Sequence, residues 1–144
     1  RWARCDIKST ALLANVLAKQ QAREKGAFEA WFVDRDGLVT EGASTSAWIV
    51  DASGKLRTRP LSHQILPGVT RNELLPLCRQ AGIELDERPF TVAEAKGARE
   101  AFLTAASIGV MPITTVDEQK IGSGQPGPVA TALNRTYWLT RSDG

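Results

Sequence analysis

The sequence predicts a mixed α/β fold formed by one domain. Stretches with apolar residues at helical spacing alternate with short runs rich in branched and aromatic residues, and glycine-containing turns separate them. The chain has 144 residues, of which 42% are hydrophobic, enough to bury one ordinary core. Neither an internal repeat nor a low-complexity linker interrupts it. We therefore expect a single α/β unit.

The first half of the chain predicts one helix followed by two hairpins. Apolar residues at helical spacing and a following glycine favour a helix over residues 9–25, with Ser9 or Thr10 as its N-cap. Each hairpin is indicated by two apolar runs that flank a turn containing glycine. The expected strands are residues 27–33, 38–40, 46–50 and 55–58. The first hairpin would bring Glu29 and Glu41 into the same neighbourhood.

The second half predicts helices and strands in alternation. Gly82 stops the first of these helices, and Pro128 suits the first position of the last one. The expected helices are residues 70–81, 91–96 and 128–139. The expected strands are residues 83–87, 101–104 and 110–116.

Composition and charge argue against several function classes. The chain has 18 basic and 16 acidic residues, scattered to a formal net charge of +2, so nothing favours nucleic acid or a membrane surface as a partner. Cys5, Cys78 and the single histidine, His63, do not form a familiar metal-ligand pattern. We expect reduced thiols and a cytoplasmic location. No apolar stretch approaches the roughly 20 residues of a membrane span, and the start at Arg1 suggests a truncated or processed chain.

Lys8 is the first candidate functional residue, because it lies in a short apolar-edged run that leads into the first helix. A lysine must be neutral to attack an aldehyde, and neighbouring cations or apolar groups favour the neutral form. Arg1, Arg4 and Ile7 would supply both influences. The alternative is an ordinary solvent-facing lysine, which is the more common role of a lysine before a helix.

Two further motifs follow in order. Glu41 comes after a predicted strand, where a carboxylate could pair with the ring nitrogen of a cofactor or be a solvated turn residue. Gly68, Val69 and Thr70 precede a helix, where N–H groups and a hydroxyl can cradle a phosphate, although Thr70 could simply cap the helix. Ser107 would add a second donor from the end of a later strand. An amine, a carboxylate and an anion-binding turn are together what a protein needs to hold pyridoxal phosphate.

Several segments resemble the class IV pyridoxal-phosphate-dependent aminotransferases, and within that family the D-amino acid aminotransferases most. These segments are RWARCDIKS (1–9), NVLAKQ (15–20), TEG (40–42), LPGVTR (66–71), AFLTAAS (101–107), VMPI (110–113) and IGSGQPGP (121–128). The resemblance implies a mixed sheet or pseudo-barrel with surrounding helices, as in the larger C-terminal domain of fold type IV enzymes. Residues 1–144 would be this cofactor-binding C-terminal domain, and the family's smaller N-terminal domain would be absent.

The resemblance also implies roles for single residues. Lys8 matches the lysine that forms a Schiff base with pyridoxal 5'-phosphate and later moves the substrate Cα proton. Glu41 matches the carboxylate under the pyridine nitrogen, and Leu66 matches a leucine packed against the cofactor ring. Arg1 matches an arginine near the cofactor's phenolic oxygen, with Glu29 as its neighbour.

At the phosphate end, the resemblance implies that Gly68, Val69 and Thr70 form the loop whose backbone and hydroxyl bind phosphate. Ala106 stands where relatives often carry a phosphate-binding threonine. Ser107 and backbone N–H groups are the expected substitutes. The absent N-terminal domain normally supplies another phosphate-binding arginine and much of the pocket for the substrate carboxylate.

The function implied by the resemblance is transamination of a D-amino acid, such as D-alanine, with a 2-oxo acid. The implied assembly is a homodimer of the full-length protein. Alternatives with the same fold are a branched-chain aminotransferase and a 4-amino-4-deoxychorismate lyase, which use the same lysine with a different pocket. Alternatives of other classes are a catalytically silent fragment that binds the cofactor weakly or serves as a scaffold, and a non-enzymatic α/β domain.

Overall fold

The predicted helices and strands occur in the predicted order along the chain, and the structure adds one short strand at Gln119–Lys120 that the sequence does not predict. The computed structural model describes residues 3–10 and 12–143. The helices of this part are α1 (Leu13–Glu24), α2 (Val69–Gln80), α3 (Val92–Lys96) and α4 (Pro128–Ser142). Its strands are β1 (Trp31–Val33), β2 (Val39–Gly42), β3 (Ser46–Val50), β4 (Leu56–Thr58), β5 (Leu85–Asp86), β6 (Glu100–Ala105), β7 (Gly109–Ile113), β8 (Thr115–Val116) and β9 (Gln119–Lys120).

Five strands form a mixed sheet in the order β5-β4-β3-β6-β7. Neighbouring strands in this sheet are antiparallel, except for β4 and β5, which run parallel. The ribbons β1-β2 and β8-β9 pair outside it. The predicted mixed α/β class is therefore confirmed.

Several predicted strands are shorter than expected, and of residues 83–87 only Leu85–Asp86 form a strand. Of residues 27–33, only the last three form a strand. The strand predicted over residues 110–116 is interrupted at Thr114, whose carbonyl accepts a hydrogen bond from the Ile121 N–H (2.9 Å). After this break β8 pairs with β9 and not with the large sheet. Local strand propensity does not reveal where a strand changes its partner.

The five-stranded sheet separates two hydrophobic layers. Trp48 and Val50 of β3 face a cluster that includes Leu74 of α2 and Tyr137 of α4. Ala47 and Ile49 of the same strand face the other cluster, which contains Phe90 and Ala95. Successive side chains of a strand point to opposite faces, so β3 contributes to both layers. Helices α2 and α4 consequently lie together on one side of the sheet.

Helix α1 is oriented differently from what its apolar spacing suggests. Leu13, Val16 and Leu17 are 69%, 61% and 54% exposed, whereas Asn15 and Ala22 are buried. The helix begins at Leu13 without a side-chain cap, so the expected cap at Ser9 or Thr10 is wrong. The amide of Asn15 donates to the Ala43 carbonyl (2.8 Å), which holds the side of the helix that carries Asn15 and Ala22 against the protein.

The start of helix α4 is fixed by a carboxylate from a neighbouring strand. Glu100 of β6 accepts hydrogen bonds from the Val129 and Ala130 N–H groups, each at 3.0 Å. A Cβ at Gly127 would lie 2.1 Å from the Glu100 side chain, so glycine is required at this close approach. A negative charge is favourable at a helix N-terminus. Glu100 therefore sets the position of α4, including Tyr137.

The structure also bears on the expectations from composition. Cys5 and Cys78 are both thiols that no disulfide joins, and burial raises the pKa of the Cys78 thiol to about 11. No group of three or more histidine, cysteine or acidic side chains within residues 3–10 and 12–143 could hold a metal ion. None of the helices in these ranges is long and apolar enough to cross a membrane.

Candidate functional site

The N-terminus of α2 presents backbone donors that have no acceptor in the protein. Gly68 is the N-cap residue and no side chain caps the helix, so the alternative in which Thr70 is the N-cap is wrong. In the part of the chain that the structure describes, the N–H groups of Val69, Thr70 and Arg71 have no hydrogen-bond partner. Free N–H groups at the positive end of a helix dipole form an anion-binding site.

Glycine at position 68 fits a close approach to the sheet. A Cβ there would lie 3.1 Å from the Ser46 Oγ and 3.7 Å from the Arg71 Cβ. Ser46 is the first residue of β3 and pairs with Thr104 near the end of β6. The helix N-terminus therefore lies at the end of the sheet where β6 leads into its turn to β7.

Ala106 and Ser107 lie in that turn, and both are exposed. The turn is closed by the Ile108 N–H, which donates to the Ala105 carbonyl (3.2 Å). The N–H groups of Ala106 and Ser107 have no acceptor among the described residues. The structure thus brings two sets of unpaired donors to one end of the sheet. Both sets belong to segments in which the sequence predicts phosphate contacts.

The Thr70 hydroxyl does not face solvent. Thr70 is only 2% exposed, and its Oγ1 lies 3.2 Å from the Tyr137 hydroxyl of α4. This bond holds the first turn of α2 against α4, whose start is fixed by Glu100. The backbone N–H of Thr70, in contrast, has no acceptor in the described part of the chain.

Glu41 and Leu66 are brought together by a direct hydrogen bond. The Leu66 N–H donates to the Glu41 Oε2 at 2.9 Å, and Glu41 is 8% exposed. Glu41 lies on β2, whereas Leu66 belongs to the loop that leads into α2. A buried carboxylate is thereby fixed next to the segment that carries the free N–H groups. The interpretation of Glu41 as a solvated turn carboxylate is wrong.

Glu29 organises the segment that follows Glu41. Its Oε2 accepts from the Ser44 N–H (3.2 Å), the Ser44 hydroxyl (3.0 Å) and the Thr45 hydroxyl (3.0 Å). Its Oε1 accepts from the Ala30 N–H (3.0 Å) and lies 3.4 Å from the Lys19 ammonium. Four of these five donors belong to residues just before β1 or just after β2, and the fifth is Lys19 of α1. This network was missed by sequence reasoning, which placed Glu29 beside Arg1, a residue outside the described ranges.

A glycine makes the Glu29 network possible. A Cβ at Gly42 would lie 2.0 Å from the Thr45 Oγ1 and 3.1 Å from the Glu29 Oε2. The Glu-Gly pair at 41–42 was visible in the sequence as a motif. Gly42 lets the Thr45 hydroxyl approach the backbone closely. This contact forms only in the folded hairpin, so the sequence alone does not reveal it.

Lys8 is exposed and lies in the segment before α1. Within the described residues it forms no hydrogen bond or ion pair. A backbone hydrogen bond ties its segment to another loop. The Cys5 N–H donates to the His63 carbonyl at 2.6 Å, which places this segment beside the loop that carries Leu66. Arg4 pairs with Asp6 at 2.9 and 2.8 Å and lowers the pKa of that carboxyl to about 2, so Arg4 is engaged by Asp6.

The fold and the positions of these motifs define a known class of protein. Residues 1–116 match the amino-transferase class IV family, and the chain belongs to this family. It is 45% identical over 140 residues to a D-alanine aminotransferase of Bacillus licheniformis, covering 94% of this chain and 49% of that protein. It is 35% identical over 146 residues to a D-alanine aminotransferase of Listeria monocytogenes, covering 100% of this chain and 50% of the relative.

Solved structures give the same family at the level of the fold. The branched-chain amino acid aminotransferase of Thermobaculum terrenum, in its PLP form, matches with a TM-score of 0.88 and 31% identity over 95% of this chain and 45% of its own. The branched-chain aminotransferase of Thermoproteus uzoniensis, solved with norvaline, matches with a TM-score of 0.81 and 32% identity over 88% of this chain and 41% of its own. The chain spans about half the length of the relatives it matches.

Proposed function

We propose that this chain is the cofactor-binding, C-terminal domain of a pyridoxal-phosphate-dependent aminotransferase. The observation that carries the proposal is the hydrogen bond between the Leu66 N–H and the buried Glu41 carboxylate. It fixes a negative charge beside the loop that ends in the free N–H groups of α2. These bonded segments together offer a carboxylate for a ring nitrogen and an anion-binding helix N-terminus.

The donor set of the site fits pyridoxal phosphate. The N–H groups of Val69 and Thr70, with those of Ala106 and Ser107, match the acceptor oxygens of a phosphate. Glu41 is an acceptor for a protonated ring nitrogen. Lys8 supplies an accessible amine for the aldehyde. The family membership of the chain supports the same cofactor.

Each of these residues has a distinct task in an amino transfer. Bound pyridoxal phosphate supplies an electron-accepting ring that stabilises negative charge on the substrate Cα. Glu41 holds a proton at the ring nitrogen. Lys8 in its neutral form would take a proton from the substrate Cα as a general base and would deliver it to the cofactor carbon as a general acid. The α2 N-terminus binds the phosphate and so orients the other groups.

We further propose a D-amino acid, such as D-alanine, as the amino donor and a 2-oxo acid as the acceptor. The support is the 45% identity to the D-alanine aminotransferase of Bacillus licheniformis. The TM-score of 0.88 to a branched-chain amino acid aminotransferase favours a second candidate substrate class, the branched-chain amino acids. A homodimer of the longer protein and a cytoplasmic location belong to the same proposal.

The proposal is tested by titrating the purified chain with pyridoxal phosphate and recording its visible absorbance. Borohydride reduction followed by peptide mass mapping is expected to place the bound cofactor on Lys8. The variant Lys8→Ala should bind without covalent attachment, whereas Lys25→Ala, a change of an exposed lysine that follows α1, should behave like the unchanged chain. Attachment to another lysine would contradict the assignment of Lys8.

Addition of amino acids to the loaded chain then separates the candidate substrates. A spectral change with D-alanine but not with L-leucine supports the D-amino acid proposal, and the reverse supports the branched-chain alternative. Cofactor binding with no response to either amino acid supports the alternative of a catalytically silent fragment.

A further inference from the structure

Arg71 is a buried charge that the proposed site does not by itself explain. It is 1% exposed, although it lies in the first turn of α2, where the helix dipole disfavours a positive charge. A buried arginine is costly unless its donors are satisfied, and an apolar side chain of similar size often serves stability as well or better. The presence of arginine here therefore indicates a role beyond filling space.

The hydrogen bonds of Arg71 are few and unequal. Its Nη2 donates to the Arg59 carbonyl at 3.0 Å and to the Glu87 Oε1 at 2.7 Å. Its Nε and Nη1 have no partner in the described part of the chain. The Glu87 side chain is 41% exposed, so solvent screens this ion pair. The bond to the Arg59 carbonyl is the fully buried contact.

Arg59 and Arg71 are the two ends of one segment, and the bond between them closes it. This segment carries Leu66, Gly68 and the free N–H groups at the start of α2. Arg59 is itself anchored, because its guanidinium donates to the Asp34 Oδ2 at 2.8 Å and to the Val39 carbonyl at 3.3 Å. Arg71 thus ties the first turn of α2 to Arg59, which lies at the start of the loop and is itself held by Asp34 and Val39.

We propose that Arg71 is a positioning residue that fixes the phosphate-binding turn through its bond to the Arg59 carbonyl. The inference rests on the proposed function, because it takes a phosphate-bearing cofactor as the ligand of that turn. Arg71 acts from the buried side of the helix through its guanidinium, while its own N–H is one of the three free donors. Its effect is therefore expected on the phosphate end of the cofactor.

The test compares the affinity of the chain for pyridoxal phosphate with its affinity for pyridoxal, which lacks the phosphate. Arg71→Met keeps the length and apolar bulk of the side chain but loses the bond to Arg59. We expect the ratio of the two affinities to fall about 10-fold, the size of one hydrogen bond to a charged group. Arg71→Lys keeps the charge, but its ammonium nitrogen ends one bond short of the Nη2 position that donates to the Arg59 carbonyl, so it should lower the ratio as well.

Arg57→Met is the matched control. Arg57 is 4% exposed, pairs with Glu94 and also has an unpartnered Nε. It follows Leu56, which packs on the α2 side, so the Arg57 side chain lies on the opposite face of the sheet. The change should destabilise the chain, as measured by thermal unfolding, but leave the affinity ratio unchanged.

The possible outcomes separate the positioning role from the proposed function. If Arg71→Met or Arg71→Lys has the same affinity ratio as the unchanged chain, the positioning role is overturned. An equal fall in Arg57→Met overturns it too, because general destabilisation would then explain the loss. If the unchanged chain does not prefer pyridoxal phosphate to pyridoxal, the phosphate site of the proposed function is itself overturned.

Discussion

Replacing Glu29 by glutamine should destabilise the protein strongly, although the two side chains have nearly the same size. The Glu29 side chain is 5% exposed, and both of its oxygens are acceptors. One accepts three bonds from Ser44 and Thr45, and the other faces the Ala30 N–H and the Lys19 ammonium. Glutamine has one acceptor oxygen and one NH₂ donor, so in either orientation at least one backbone N–H, of Ser44 or of Ala30, would face another donor. The remaining bonds would lose the negative charge of their acceptor.

The magnitude follows from the bonds that are lost or weakened. A hydrogen bond to a charged group contributes about 1.5–3 kcal/mol and a neutral one about 0.5–1.5 kcal/mol, so losing one and making the others neutral gives about 3 kcal/mol. In a domain of this size such a loss lowers Tm by about 10 °C. Urea unfolding and thermal unfolding of Glu29→Gln measure both quantities. The segment that follows Glu41 should also become more mobile, which amide hydrogen exchange at Ser44 and Thr45 would report.

Glu24→Gln is the control, because Glu24 is an exposed carboxylate of α1 that accepts a single bond from Gln20 (3.0 Å). That change should alter the free energy of unfolding by no more than about 0.5 kcal/mol. A loss below about 1 kcal/mol in Glu29→Gln, or equal losses in the two variants, would refute the view that Glu29 holds the hairpin ends together.

Two other predictions concern single carboxylates. Glu100→Ala leaves two N–H groups at the start of α4 without their acceptor and should cost about 3 kcal/mol in urea unfolding, while a loss within error of zero would contradict the capping role. The Asp6 carboxyl should titrate at about 2 by NMR and nearer its ordinary value in Arg4→Ala, because its pKa is lowered by the bond from Arg4. Since the Asp6 pKa is lower in the folded than in the unfolded state, the stabilisation by this pair is present above pH ~4 and is lost as the pH falls toward 2. An Asp6 pKa that Arg4→Ala leaves unchanged would refute this role of Arg4.

The order of helices and strands could be predicted because each depends on local patterns. Helix α2 was expected over residues 70–81 and runs over Val69–Gln80, since its apolar spacing and the following Gly82 are both local signals. The orientation of α1 was not predictable in the same way. Its exposed leucines and valine have the spacing of a core face, but a single buried bond from Asn15 to Ala43 fixes which side faces the protein.

The candidate site likewise contains residues that short local motifs predict and residues that they do not. Glu41, Leu66 and Gly68 were identified from short motifs, and the structure places Glu41 in contact with Leu66. The roles of Glu29 and Arg71 were not identified, because both act on residues far away along the chain. The local sequence around a carboxylate near a strand, or around an arginine in a helix, does not show whether the side chain bonds a buried partner or faces solvent.

The loop that leads into α2 is held at three points, and this has a consequence for binding. Its ends are joined by Arg71 and the Arg59 carbonyl, its middle is bonded at Leu66 to Glu41, and His63 accepts the Cys5 N–H from the segment that carries Lys8. The donors at the start of α2 are nevertheless left unpaired. A site whose framework is bonded while its binding groups are open loses little conformational entropy when an anion arrives. Loss of any one tie should therefore weaken cofactor affinity even where the N–H donors themselves are untouched.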